Sequence, residues 1–152
     1  MKFFAKYFVT IFGVGFSPVA PGTMGSIFAI VTWVIVINLL SIYYFYIIFF
    51  IILIISFKLI SIYINDTKKD DPPEVVIDEF IGQSLPLLFM MEFDFFEIIL
   101  AFATFRFFDI YKIYPINKSE NIRGSMGIIL DDVLAGIYSV IIIMLYKILV
   151  LG

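Results

Sequence analysis

The residues able to do chemistry in this chain fall in four short blocks. Asp78-Glu79 and Asp131-Asp132 are pairs of adjacent carboxylates, and Asp109 stands three residues from both Arg106 and Lys112. A fourth block, Pro21-Gly-Thr-Met-Gly-Ser26, sets glycines and two hydroxyls at the head of an apolar run. Carboxylates gathered in one place make a cage for hard cations such as Mg²⁺. A glycine-rich segment that opens a helix turns backbone N–H groups toward an anion. Arg106, Lys112 and Arg123 can add positive charge against a phosphate. The glycine block is neither a Walker loop, since it lacks the lysine, nor a dinucleotide fingerprint. The chain has no cysteine and no histidine, which removes disulfides, thiolate nucleophiles, Cys/His zinc sites and imidazole catalysis.

Each block also has a purely structural role open to it. Acids in a helix's first turn are favoured by its dipole, and Thr23 or Ser26 can cap a helix. Arg106, Asp109 and Lys112 at i, i+3, i+6 can form an ion-pair ladder on a helix surface. Pro18, Pro21, Gly22 and Gly25 can simply build a turn.

The elements that must position these groups follow from composition. The 152 residues are 62% hydrophobic and 15% charged, against about 45–50% and about 25% in an ordinary soluble domain. The chain therefore reads as one membrane domain, residues 1–152. A net charge of −3 gives no basic face for nucleic acid. No charge occurs between Lys6 and Lys58, room for two crossings of about 20 residues each. The most polar point of that stretch, Asn38–Ser41, is the expected turn, giving helices over about 26–40 and 42–64. The first would be only ~22 Å long.

The charged, proline-bearing stretch 65–73 reads as an aqueous loop. A short helix over about 80–91 follows, bent by Pro86, then a polar break at Glu92-Phe93-Asp94 and a helix over about 95–112. A loop over 113–130 leads to a final span over about 133–151. Lys2 and Lys6 before an apolar run imitate a signal peptide, but the run ends in prolines, and the expectation is a retained segment at the membrane surface. The fold class is thus an all-α polytopic membrane bundle of about five helices, three or four of them spanning.

Orientation follows from the basic residues. With the 65–77 loop in the cytoplasm, every lysine and arginine except Lys147 lies at or near that side, and Lys147 is left to snorkel at the far face. This topology brings Asp78-Glu79, Asp109, Asp131-Asp132 and the glycine block to one membrane surface. Ionisable groups in such apolar surroundings are costly unless paired or bound to an ion. A cation cage, an anion-binding helix start and cationic side chains beside a bilayer describe a lipid phosphate, and fit a phosphatase or a phosphotransferase equally.

These blocks resemble the phosphatidylglycerophosphatase A family, Mg²⁺-dependent bacterial membrane enzymes. The match runs through Gly13-x-Gly15-x-x-Pro18-x-x-Pro21-Gly-Thr-x-Gly-Ser26 and Val76-x-Asp78-Glu79-Phe80-x-Gly82. It continues in Phe105-Arg106-x-x-Asp109-x-x-Lys112-x-x-Pro115-Ile116 and Gly124-x-x-Gly127-Ile128-x-x-Asp131-Asp132-x-x-Ala135-Gly136. Two departures stand out: Ile113 follows Lys112 where the family usually has proline, and Arg123-Gly124-Ser125 replaces its usual Gly-Gly, often preceded by histidine.

The resemblance implies hydrolysis of phosphatidylglycerophosphate to phosphatidylglycerol and inorganic phosphate at the cytoplasmic face of a bacterial inner membrane. Glu79, Asp131 and Asp132 are then the leading metal ligands, for one Mg²⁺ or two, with Asp78 and Asp109 completing the shell. Arg106 and Lys112 would neutralise the transferred group. Thr23, Ser26, Gly22, Gly25 and Arg123 would hold the phosphate. Direct attack by water and a covalent intermediate both stay open, and oligomeric state is not legible. Other lipid-phosphatase chemistries need a cysteine in Cys-x5-Arg, a nucleophilic histidine or an Asp-x-Asp motif, and none is present.

Two other readings compete. A CDP-alcohol phosphotransferase would carry a long Asp-x-x-Asp-Gly…Gly-x-x-x-Asp-x-x-x-Asp pattern, which is missing. A small transporter using its carboxylates for cations would place them near the bilayer midplane, not at helix ends beside aqueous loops.

Overall fold

The computed structural model describes residues 1–119 and 122–151, and every regular element among them is helical. Seven α-helices occur among these residues: α1 (Lys2–Val9), α2 (Pro21–Leu39), α3 (Ile42–Thr67), α4 (Ile77–Leu87), α5 (Phe95–Tyr111), α6 (Ile116–Ser119) and α7 (Ser125–Tyr146). A π-helical turn, Lys147–Leu151, continues α7. Three helices are long and apolar enough to cross a membrane: Pro21–Leu39, Ile42–Thr67 and Ser125–Val150.

Seven α-helices occur where about five were expected, and several boundaries differ: α3 runs on to Thr67, and α4 starts at Ile77 and ends at Leu87 rather than spanning about 80–91, which puts Asp78 and Glu79 in its first turn. Two other starts also matter to the site. The first span starts at Pro21, five residues before the expected Ser26, because proline's fixed φ and missing N–H suit the first helical position. Its 19 residues reach about 28 Å, close to the ~30 Å of a hydrocarbon core. The last helix starts at Ser125 rather than 133, after Gly124 at φ +82. Asp131 and Asp132 therefore sit nearly two turns inside α7 and are not its N-terminal caps. The expected turn near Asn38–Ser41 is present, with Ser41 Oγ accepting from the Tyr43 N–H at 3.4 Å.

α4 is the axis of the bundle. It is too short to span, at 11 residues, yet every residue in it except Glu79 and Leu85 is buried. It packs chiefly between α2 and α7, with α3 and α5 also against it, so its polar groups are shielded from lipid. Pro86 does not kink the middle of this helix but lies in its last turn. With no N–H to bond back four residues, Pro86 leaves the Gly82 carbonyl free of its helical partner. That carbonyl occupies the space where a Cβ on Gly136 would stand. The two glycines thus let α4 and α7 touch backbone to backbone, the close approach that small residues allow in membrane bundles.

Trp33, Phe45, Phe49, Leu87, Met90 and Ile143 pack the end of the bundle distant from Asp78. Ala5, Val9, Ile60, Tyr63, Val76 and Ile77 pack α1 and α3 against the start of α4. α1 buries Ala5 and Val9 and leaves Phe3, Phe4 and Tyr7 exposed, consistent with a segment lying at an interface. At the far end Lys147 is not merely extended toward headgroups. Its Nζ lies 3.1 Å from Glu97 Oε2 and donates to the Phe89 carbonyl at 3.1 Å.

Candidate active site and metal centre

The site is built at one end of the bundle, where α2, α4 and α7 begin and α5 ends. Asp78 lies four residues before Gly82 on α4, and Asp132 lies four residues before Gly136 on α7. Where the two glycines meet, both aspartates therefore stand one turn above the crossing and face each other. Glu79 turns toward α2 and α5. A Cβ on Gly22 would overlap Glu79 Oε1 and come within 3.4 Å of Arg106 Nη1. Gly22 is thus the gap through which the first turn of α2 approaches this carboxylate. Gly25, one turn on, serves packing instead. A Cβ there would fall 2.7 Å from the Val76 carbonyl, so this glycine sets how closely α2 lies on the start of α4.

Asp78, Glu79 and Asp132 each offer one carboxylate oxygen to a group lying within 4.8 Å of one another. Asp78 Oδ1, Glu79 Oε2 and Asp132 Oδ1 are buried with no hydrogen-bond partner. Three carboxylates crowded together, each with a buried oxygen left unbonded, are strongly unfavourable as free anions. Burial raises Asp78 well above the ordinary carboxylate range, and the neighbouring Glu79 and Asp132 push the same way. Burial lifts Glu79 to about 7, opposed by its hydrogen bond with Asp78 and by the Arg106 charge, and reinforced by Asp109. A hard divalent cation is the group that fits such an oxygen-only donor set.

Adjacent residues on a helix point about 100° apart, and α7 uses this to divide its acidic pair. Asp132 enters the triad, whereas Asp131 turns to α5 and accepts a hydrogen bond from Lys112 Nζ at 2.9 Å. The ladder expected along α5 is divided as well. Arg106 Nη1 and Asp109 Oδ2 form an ion pair at 2.5 Å, while Lys112, at φ +44 as the C-cap of α5, is aimed at α7. Asp109 lies close enough to Glu79 to oppose its ionisation. Its place is between the triad and Arg106.

The remaining sequence candidates are distributed unevenly. Thr23 is half-buried in the first turn of α2, beside Gly22. Ser26 is fully buried and donates its hydroxyl proton to the Gly22 carbonyl at 3.0 Å, so that proton is committed inside α2. Arg123 is exposed and lines a cavity of about 490 Å³ together with Lys112, Gly124 and Asp131. Sequence reasoning passed over Gln83. It is fully buried one turn below Glu79 on the same face of α4, and neither amide atom has a partner among the described residues. The available signal was an amide at i+4 from a carboxylate inside an otherwise apolar helix.

The comparisons with known proteins give the chain a family. A family model described as phosphatidylglycerophosphatase A matches residues 7–147. A Bacteroides thetaiotaomicron protein, provisionally named a phosphatidylinositol-3-phosphatase, is 39% identical over 140 residues, covering 88% of this chain and 87% of its own. Proteins named phosphatidylglycerophosphatase A from Haemophilus influenzae and Escherichia coli are each 36% identical. They cover 87% and 84% of this chain, and 82% and 74% of the relatives. No solved structure matches the chain significantly. With the family model spanning nearly the whole chain and relatives aligned over most of both lengths, the chain belongs to the phosphatidylglycerophosphatase A family.

Proposed function

We propose that this protein is a Mg²⁺-dependent phosphatase that hydrolyses phosphatidylglycerophosphate to phosphatidylglycerol and inorganic phosphate. The observation that carries the reading is the triad Asp78, Glu79 and Asp132, with ligand atoms within 4.8 Å of one another and one buried oxygen on each without a hydrogen-bond partner among the described residues. Relatives named for this activity support the substrate. When bound, Mg²⁺ supplies Lewis-acid polarisation and neutralises charge on the phosphate.

The chain's own residues do the rest. The N–H groups of Gly22 and Thr23, in the first turn of α2, orient an anion where the helix dipole favours it. Arg106 and Lys112 bind the phosphoryl oxygens, each held in place by an acid, Asp109 and Asp131 respectively. Asp78, in the first turn of α4, supplies one of the three carboxylate oxygens that would hold the cation. Residues 1–152 act as one unit at the cytoplasmic leaflet of a bacterial inner membrane, a sidedness supported by the concentration of lysine and arginine at the end of the bundle that carries the site.

The test is phosphate release from phosphatidylglycerophosphate by purified protein in detergent, with Mg²⁺ and with chelator. Release that needs the cation, and is lost in folded Asp132→Asn and Lys112→Ala, supports the reading. A folded wild type that is silent with every divalent cation overturns it. A second headgroup, inositol 3-phosphate, is favoured by the name of the Bacteroides relative and belongs in the same assay.

A further inference from the structure

We infer that the cavity beside the Lys112–Asp131 pair receives the hydroxyl-bearing headgroup of the lipid phosphate, and that Asp70 and Asp71 of the α3–α4 loop read its hydroxyls. The inference deepens the phosphatase reading and rests on it. The cavity, about 490 Å³, is lined by Lys112, Arg123, Gly124 and Asp131 from the end of α5 and the start of α7, and by Asp70 and Asp71 from the α3–α4 loop. Lys112, to which the phosphatase reading assigns the phosphoryl oxygens, stands in its wall. A headgroup seated there is next to the scissile phosphate.

The charges of the lining divide the work. Lys112 and Asp131 compensate each other at 2.9 Å. Arg123 has no ion pair among the described residues and suits the phosphodiester that joins a headgroup to its lipid. Asp70 and Asp71 have no ion pair or hydrogen bond among the described residues. As ionised carboxylates they are acceptor-only. They repel phosphate and accept from hydroxyls, so the hydroxyl-bearing part of the headgroup lies toward them and the phosphates toward Arg123 and Lys112.

The loop that carries these acids is anchored on both sides. Lys68 closes α3 at φ +57. Glu74 accepts from Tyr63 Oη at 3.0 Å and pairs with Lys69 at 3.4 Å. Pro72 is buried, and its carbonyl accepts from the Val75 N–H at 3.0 Å. Two carboxylates at the rim of a polar cavity, on a loop tied down just before and just after them, are placed to select a ligand. Glycerol and inositol, the headgroups named in the relatives, present one and several hydroxyls respectively beside a phosphate monoester. Phosphatidic acid presents none.

The experiment compares wild type with the Asp70→Asn, Asp71→Asn double variant in detergent. Phosphate release is measured from phosphatidylglycerophosphate, phosphatidylinositol 3-phosphate and phosphatidic acid. The expected result is a fall of about tenfold in kcat/KM for the preferred hydroxyl-bearing lipid relative to phosphatidic acid, carried by KM. Equal losses on all three lipids, an unchanged ratio, or an altered cation requirement overturns the inference. A second readout needs no turnover: protection against thermal unfolding by glycerol 3-phosphate compared with inorganic phosphate. Wild type should be protected more by glycerol phosphate, and the double variant equally by both. Equal protection of wild type by both overturns the headgroup site. A wild type that releases no phosphate overturns the phosphatase reading alone, and the protection difference still decides the site.

Discussion

Gly82 of α4 and Gly136 of α7 meet backbone to backbone, with the Gly82 carbonyl filling the space a side chain on Gly136 would need. The contact sits one turn below Asp78 and Asp132 and brings them to the same level. A Cβ on Gly82 would in turn fall 2.6 Å from the Asp132 carbonyl and 2.5 Å from the Phe105 ring. Gly136→Ala therefore pushes two backbones apart, which cannot be relieved by a rotamer change. The expected cost is at least about 1–3 kcal/mol in unfolding free energy, with Mg²⁺ affinity lowered in whatever fraction folds. Denaturant unfolding and metal titration in detergent measure the two effects.

Gly22→Ala should behave in the opposite way. The clash there is with the far end of the flexible Glu79 side chain, which can swing aside at little cost. Stability should change by less than about 1 kcal/mol, while phosphate release falls by about two orders of magnitude. A variant as active as wild type would show that Glu79 does not work from the position it holds beside Gly22.

The two aspartates of α7 should give different phenotypes. Asp132→Asn removes a triad oxygen and should weaken divalent-cation binding by about a hundredfold or more. Asp131→Asn removes the negative charge that faces Lys112. It should leave cation affinity within about tenfold of wild type and lower phosphate release. Mn²⁺ titration followed by electron paramagnetic resonance separates them. Identical losses of affinity would place both aspartates on the ion.

Stability without metal should fall as pH rises. Glu79 titrates near about 7 in the folded protein, against an ordinary 4.5, and Asp78 is raised as well. A carboxyl raised on folding contributes stability that is complete below its unfolded pKa and lost as pH rises through its folded one. In chelator the unfolding midpoint should therefore be higher near about pH 5 than near about pH 8. Mg²⁺ binds the ionised carboxylates and should reduce or invert that difference.

Gln83 hides both amide atoms from water without a partner. Gln83→Leu should raise the stability of the metal-free protein by about 1–3 kcal/mol. A drop in stability would mean that the amide has a partner in solution, most simply a bound water.

Much of the architecture is written in the charge map. The uncharged run between Lys6 and Lys58 sets two spans, the polar loop after Thr67 ends the second, and the basic residues assign one end of the bundle to the same side. These features are local or additive along the chain, so they survive without knowledge of packing. Helix starts were less legible. Pro21 and Gly124 open their helices earlier than hydropathy suggests, because backbone geometry rather than apolar content governs a first turn.

The residue types of the site were also legible, since five carboxylates, two cationic side chains and a glycine-rich helix start are an unusual combination for a membrane chain. Their partners were not. Asp131 and Asp132 are neighbours in sequence and point about 100° apart. Only the placement of α4 on one face and the end of α5 on another sends Asp132 to the triad and Asp131 to Lys112. In the same way Gly22 and Gly25 look equivalent, yet one opens space for Glu79 and the other sets a helix contact. A sequence specifies which side chains a helix carries at each angle, whereas what each angle meets depends on the crossing of helices distant in the chain. Here a pair of glycines and one proline at the α4–α7 contact make that decision.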